Sequence, residues 1–142
     1  MGKEKTKIRL RGHHLFCSNV MDVDGDPIYS ARFCANFRKY QQMMADPSQA
    51  IEVVCTCGDT CRYCPSWNEQ DGKCRLYDYP PNANRIDLEM LEALSLSVGD
   101  EITSGELKQR IKGRFGTTLP AMCSWACGFE SVLHCSQGQR KL

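Results

Sequence analysis

The sequence predicts an α+β fold: a single compact domain over residues 1–142, mostly helical, with a small sheet and a long cysteine-rich loop organised by metal. Three observations carry this expectation. Apolar residues recur at helical spacing in three stretches, and two short runs have strand character. From Thr56 to Arg85 all periodicity disappears, in a stretch rich in Cys, Pro, Gly, Asp and Asn. The chain has 10 cysteines, and Cys57, Cys61, Cys64 and Cys74 fall inside that stretch. A structureless loop of this length is unusual in a compact domain unless something else organises it. Metal–ligand bonds can take the place of a local hydrophobic core.

Lys7, Arg9 and Arg11 alternate with Ile8 and Leu10, the period of a strand with one basic and one apolar face. Periodicity does not settle the following Gly12–Cys17 segment. If the strand continues through it, His13 and His14 point to opposite faces. Asp22–Pro27 reads as a turn. Ser30 is a good N-cap for a helix whose apolar stripe is Phe33, Phe37, Tyr40 and Met44, and Asp46-Pro47 ends it. Ile51–Cys55 is a short β-rich run. Beyond the loop, Asp87 is expected to cap a short helix carrying Leu88, Leu91 and Leu94, with Gly99 past its end. Thr103 and Glu106 form a capping box for the next helix, with Leu107, Ile111 and Phe115 as its buried stripe and Gly116 as its stop. Pro120 opens a further helical turn, and Gly128–Leu142 reads as a weak helix ending in Arg140 and Lys141.

Composition sets bounds on partners and compartment. The charge balance is 18 − 17 = +1 and 42% of residues are hydrophobic. A chain of this length buries about 68–70% of its unfolded surface, enough for a core. The near-neutral balance gives no case for nucleic acid as a partner. Lys3, Lys5, Lys7, Arg9 and Arg11 also lack the aromatic interleaving of a nucleic-acid surface. No apolar run approaches the roughly 18 residues of a membrane span, so no membrane association is expected. The opening MGKEKTKIRLRGHHLF has no hydrophobic segment resembling a secretory signal, and the expected compartment is the cytoplasm. An even cysteine count also fits a secreted disulfide scaffold. Cys55, Cys57, Cys61 and Cys64, however, lie too close together to staple distant elements. Close spacing suits thiolates converging on one metal in a reducing cytosol.

The first constellation is Cys61-x2-Cys64-Pro65, with Cys74 further on. Two intervening residues let a tight turn aim both sulfurs at one centre, with its amides free to face the sulfurs and lower the cost of their charge. The proline after a ligating cysteine also occurs in bacterial ferredoxin runs. The second constellation is Cys123-x3-Cys127, followed by Cys135; Trp67 accompanies the first trio and Trp125 the second. The bland reading of Cys127 and Cys135 is as small buried hydrophobes on a helix, and the same reading suits Cys34, which neighbours Phe33 and Phe37. A local ligand set takes Cys57 or Cys55 with Cys61, Cys64 and Cys74. A composite set draws on both trios. Zinc favours paired two-residue knuckles about 15–20 residues apart, whereas iron–sulfur clusters accept irregular spacing and a remote thiolate. Spacing therefore favours a cluster. His13 and His14 precede Cys17, which is a candidate ligand or a redox thiol if a protonated histidine lowers its pKa. His134 reads as a surface residue.

The run Arg11-Gly12-His13-His14-Leu15-Phe16-Cys17 resembles the Arg-Gly-His-His-Leu-Leu-Cys signature of an uncharacterised prokaryotic domain family whose members are often labelled iron–sulfur binding proteins. Asp59-Thr60-Cys61-Arg62-Tyr63-Cys64-Pro65 is similar to that family's Asp-x-Cys-x-x-Cys-Pro element, and Gly72-Lys73-Cys74 follows it. Cys127 to Cys135 is similar to its Cys-x7-Cys element, with Cys123 as the preceding cysteine. Phe16 replaces the signature's second leucine, an extra residue separates Cys123 from Cys127, Phe129 stands where the family tends to have tryptophan, and Cys34, Cys55 and Cys57 are extras. Since the family pattern works without Cys55 and Cys57, it implies the composite site.

The functional expectation is a cytoplasmic iron–sulfur protein of an anaerobic or facultative prokaryote. It holds one 4Fe-4S cluster and acts in electron transfer or redox sensing with a redox partner protein. The candidate ligands are Cys61, Cys64, Cys74, Cys127, Cys135, Cys123 and Cys17, with His13 and His14 beside the centre. The alternatives are a zinc-stabilised binding module and a small redox enzyme using Cys17 with His13 or His14. Whether the protein is an enzyme stays open at this level.

Overall fold

The structure is a computed structural model describing residues 6–23, 30–80, 83–121, 123 and 135–142. In chain order its elements are β1 (Ile8–Arg11), α1 (Gly12–Val20), α2 (Ala31–Met44), β2 (Ala50–Val54), a 3-10 turn (Asp59–Cys61), β3 (Trp67–Asn68), β4 (Lys73–Cys74), α3 (Arg85–Leu94), β5 (Glu101–Thr103), α4 (Ser104–Phe115) and α5 (Cys135–Arg140). This is the expected α+β architecture of helices packed around a small sheet. The predicted Asp22–Pro27 turn and residues 128–134 of the last helix lie wholly or largely outside the described residues, while at Pro120 the expected turn is present, the Pro120 carbonyl accepting the Cys123 amide at 3.0 Å.

The sheet has the order β1-β2-β5. β1 runs parallel to β2, with Ile8 opposite Ile51 and Leu10 opposite Val53, and β5 runs antiparallel to β2, with Ile102 opposite Ile51. A parallel pair needs a crossover, and α1 and α2 supply it. Alternation puts Ile8, Leu10, Ile51, Val53 and Ile102 on one buried face. They form the main core with Leu15 and Phe16 of α1, Met90, Leu91 and Leu94 of α3, and Leu107 and Ile111 of α4. The opposite face is polar, with ion pairs Lys7–Glu101 and Arg9–Glu52. Exposed pairs of this kind contribute at most about 1 kcal/mol each.

Local signals account for several element ends. Ser30 Oγ accepts the Phe33 amide at 3.1 Å, and Thr103 Oγ1 accepts the Glu106 amide at 3.3 Å. Gly116 takes φ +58° and stops α4. The apolar stripe of α2 divides between two clusters. Phe33 and Phe37 pack with Val23 in a second, smaller core, while Met44 enters the main one with Tyr40 lying against it. The segment after β1, which periodicity left open, is helical from Gly12, so His13 and His14 do not alternate across a strand.

Two helix contacts are so close that only glycine fits. A Cβ on Gly12 would stand 2.7 Å from the Asp87 Cα and overlap the Asp87 carbonyl, and one on Gly138 would overlap the Val20 carbonyl. Gly12 thereby lets the start of α1 lie against α3 backbone. Overpacking a tight contact costs about 1–3 kcal/mol. Gly12→Ala is therefore expected to lower unfolding free energy by at least that range, whereas Gly113→Ala, where the space is open, does not. Urea denaturation of both variants checks the contrast.

Candidate metal centre

The site is built where β1 ends. Arg11 is the last residue of β1 and the N-cap of α1, but its side chain does not cap the helix. The orphan amides of a helix start need an acceptor, and a carboxylate suits them best. Asp87 provides it from α3: its Oδ1 accepts the His13 amide at 3.0 Å and lies 2.5 Å from His13 Nδ1. Asp87 was expected to cap its own helix. Instead α3 begins at Arg85 behind Asn84, and the Asp87 carboxylate serves α1 and Arg11.

Arg11 is 0% exposed, and a buried cation requires partners. Its Nε donates to Asp87 Oδ2 at 2.8 Å. Its Nη2 donates to Asp78 Oδ1 at 2.5 Å and to Asn84 Oδ1 at 3.2 Å. Its Nη1 donates to Asp78 Oδ2 at 3.2 Å and faces the Cys57 sulfur at 3.8 Å. The guanidinium thus fastens the cysteine-rich segment to both β1 and α3. Burial opposes its charge, but the bonds to Asp78 and Asp87 prevail and raise its pKa further.

The cysteine-rich segment is a chain of tight turns. Cys61 N donates to Gly58 O at 3.1 Å, Cys64 N to Cys61 O at 3.0 Å, and Trp67 N to Cys64 O at 3.0 Å. Tyr63, between the two cysteines, takes φ +67°. β3 and β4 pair antiparallel with Trp67 opposite Cys74, closing a small hairpin. Asp78 holds its far side, accepting the Cys74 amide at 2.6 Å while it binds Arg11. Asp59 holds the near side, accepting the Arg9 amide at 2.8 Å.

Backbone amides are aimed at two of the sulfurs. The amides of Ser66 and Trp67, with the Ser66 hydroxyl, face Cys64; those of Leu76 and Tyr77 face Cys74. In both turns the donors lie two and three residues after the cysteine. Burial raises both thiols' pKa, and these donors work against it. Cys57 and Cys61 are hydrogen-bonded to each other. That bond, helped by Arg11, lowers the Cys57 pKa, while the same bond and burial raise that of Cys61. A charged Cys57 adds to the upward shift of the Cys61, Cys64 and Cys74 thiols. His14 Nδ1 lies 3.5 Å from Cys61 Sγ and 3.3 Å from Thr60 Oγ1.

The remaining candidates lie elsewhere. Cys17, on α1, and Cys123, after Pro120, are half-buried against the main core. Cys127 and His134 lie outside the described residues, and of Cys135 only the backbone, opening α5, is described. Cys34 packs against the second core, and Cys55 is exposed. Of the predicted residues, His14 touches Cys61, Cys61 and Cys64 flank one tight turn, Cys74 lies in the hairpin that follows, and His13 is held on Asp87. Sequence reasoning set Cys57 aside as an extra and did not single out Arg11, Asp78 or Asp87 as site residues. The Arg-Gly-His-His run held the signal for Arg11; no local signal marks its partners.

Acid should weaken this arrangement in two stages. Burial lowers the His13 pKa below its ordinary value, so below about pH 6.5 the unfolded chain binds a proton the folded one resists, and stability falls. The Asp87 pKa is held well below the usual range by His13 and Arg11, against the effect of burial. Its contribution is complete above about pH 4 and is lost as pH falls toward the folded value. Urea midpoints are expected to decline from pH 7 to 5 and more steeply below 4, and Asp87→Asn is expected to flatten the lower limb.

Thiols gathered under paired amides suit a soft centre held by thiolates. As placed, no three described His, Cys, Asp or Glu side chains close on a single ion. Fold and site together define a small α+β domain with a turn-built thiol group anchored on a buried arginine–carboxylate network. The chain belongs to the family described as protein of unknown function (DUF1284), whose model matches residues 29–132. The match covers Cys57, Cys61, Cys64, Cys74, Cys123 and Cys127 and starts after the Arg-Gly-His-His run. No curated protein and no solved structure matches the chain.

Proposed function

We propose that this chain is an iron–sulfur protein, with a 4Fe-4S cluster held by Cys61, Cys64 and Cys74 and with Cys57 as the fourth thiolate, serving electron transfer or redox sensing. The carrying observation is the pair of amides aimed at each of Cys64 and Cys74. Donors placed this way stabilise thiolates, and bonds to the sulfurs also tune a cluster's potential. Such a cluster, when bound, takes up or gives back one electron.

The chain's own groups each have a task in this reading. Arg11, 3.8 Å from the Cys57 sulfur, offsets negative charge there. Asp78 locks that guanidinium and the Cys74 amide into one frame. His14 offers Cys61 a hydrogen-bond partner, with its own pKa kept well below the ordinary value by burial and by its neighbours His13 and Arg11. In this reading Cys57 replaces the remote ligand of the composite set, because it is hydrogen-bonded to Cys61 while Cys123 rests against the main core. Thiolate ligands must stay reduced, so this reading requires a reducing compartment such as the cytoplasm. No described helix is long and apolar enough to cross a membrane.

The test is the metal and sulfide content of protein purified without oxygen, together with its visible spectrum. About four irons and four sulfides per chain, with a broad absorption bleached by dithionite, are expected. Colourless protein with about one zinc would overturn the cluster and leave a zinc-stabilised module.

A further inference from the structure

Beside the thiol group, two arginines share one aromatic ring. The Arg32 guanidinium, from the first turn of α2, stands 4.4 Å from the Tyr63 ring centroid, and that of Arg62 stands 5.7 Å from it. Both arginines are exposed, and among the described residues neither has a carboxylate partner. Tyr63 lies between Cys61 and Cys64, and its ring is half-buried against the second core of Val23, Phe33 and Phe37. Its φ of +67° is one that a bulky residue rarely adopts. Strain of this kind persists where the surroundings enforce it, often next to a functional group.

The helix that carries Arg32 has charge of one sign, and the nearby Asp59 carboxylate accepts the Arg9 amide and pairs with neither arginine. Helix α2 carries Arg32, Arg38 and Lys39 and no acidic residue along Ala31–Met44. Two like charges over one ring repel each other, and each guanidinium keeps a planar fork of donors suited to bidentate carboxylate bonds. The ring restricts both side chains in advance, so less freedom is lost when an acceptor arrives.

We propose that Arg32, Tyr63 and Arg62 form a docking site for a carboxylate-rich surface of a partner protein, seated against the Cys61–Cys64 turn. That the partner is an electron carrier rests on the proposed iron–sulfur function; the docking site itself does not. Charge complementarity selects the partner's chemistry and speeds its encounter. Docking at this turn places the partner against the part of the surface nearest two of the thiols.

Fluorescein-labelled poly-L-glutamate is the probe, with binding to the purified full chain read by anisotropy at low salt. The wild type is expected to bind with an affinity that falls steeply as salt rises. The double variant Arg32→Glu/Arg62→Glu is expected to bind at least ten-fold more weakly. The double variant Lys112→Glu/Arg114→Glu on α4 makes the same change in net charge and is expected to keep its affinity to within about two-fold. Equal losses in the two double variants overturn the site, since net charge alone would then explain binding. Single-stranded DNA of matched charge binding more tightly than poly-glutamate, through the same two arginines, overturns the protein partner in favour of nucleic acid. Binding that persists in protein carrying no iron upholds the docking site and removes only the electron-carrier identity. Circular dichroism confirms that each variant is folded.

Discussion

Asp87→Ala is expected to cost the fold about 3–5 kcal/mol, because it breaks a buried charge pair by removing one partner. Asp87 binds Arg11, which is 0% exposed, and both the amide and the Nδ1 of His13. Its loss leaves a buried guanidinium with only Asp78 as counter-charge and uncovers the start of α1. Three elements meet at this carboxylate, so the damage should spread to β1, α1 and α3 together. Asp87→Asn keeps the size and one acceptor and is expected to cost less. The double variant Arg11→Met/Asp87→Leu removes both charges and is expected to recover part of the loss, as replacing a whole buried pair often does. Urea denaturation of the variants completes the cycle. A cost under about 1 kcal/mol for Asp87→Ala would mean that the network is relaxed by water, and the account of Arg11 as the anchor would fall.

What the sequence makes legible here depends on how far apart the interacting residues lie. Ser30 and Thr103 cap helices through partners three residues away, so their signals sit inside one turn of chain. Asp87 shows the limit of that reasoning. An acidic residue in a helix's first turn looks like a cap whatever its carboxylate binds, and its true partners, Arg11 and His13, are 76 and 74 residues away. Cys57 is hidden for the same reason. Within the sequence it is one thiol too many, and only the fold sets it 3.8 Å from an arginine 46 residues earlier. Strand β5 is three residues long, too short for alternation to show, and it exists because β2 offers it an edge. The cysteine-rich segment reads as shapeless because its order comes from single turns and from Asp59 and Asp78, none of which repeats along the chain.

Removing Cys57 is expected to abolish metal binding, and that result would separate the two ligand sets. In the local set, Cys57→Ala and Cys64→Ala both lose iron and sulfide to background. The turns between Gly58 and Asp78 then lose the part of their folding energy that the centre supplies, and the melting temperature drops. Cys34→Ala removes a thiol packed on the second core and should leave metal content unchanged, with the small cost of a core truncation. Cys127→Ala and Cys135→Ala should likewise keep their iron. The composite set makes the opposite forecast: Cys57→Ala retains its cluster, and loss follows instead from Cys127→Ala or Cys135→Ala. The physical reason for expecting the first pattern is electrostatic. Collecting thiolate charge at one centre is costly, and the described groups that can offset it are concentrated around the local set: two amides on each of Cys64 and Cys74, and the Arg11 guanidinium at Cys57. A variant series read by iron, sulfide and melting temperature tests that balance directly, since all three fall with the loss of a ligand, whereas loss of a bystander thiol leaves iron and sulfide in place.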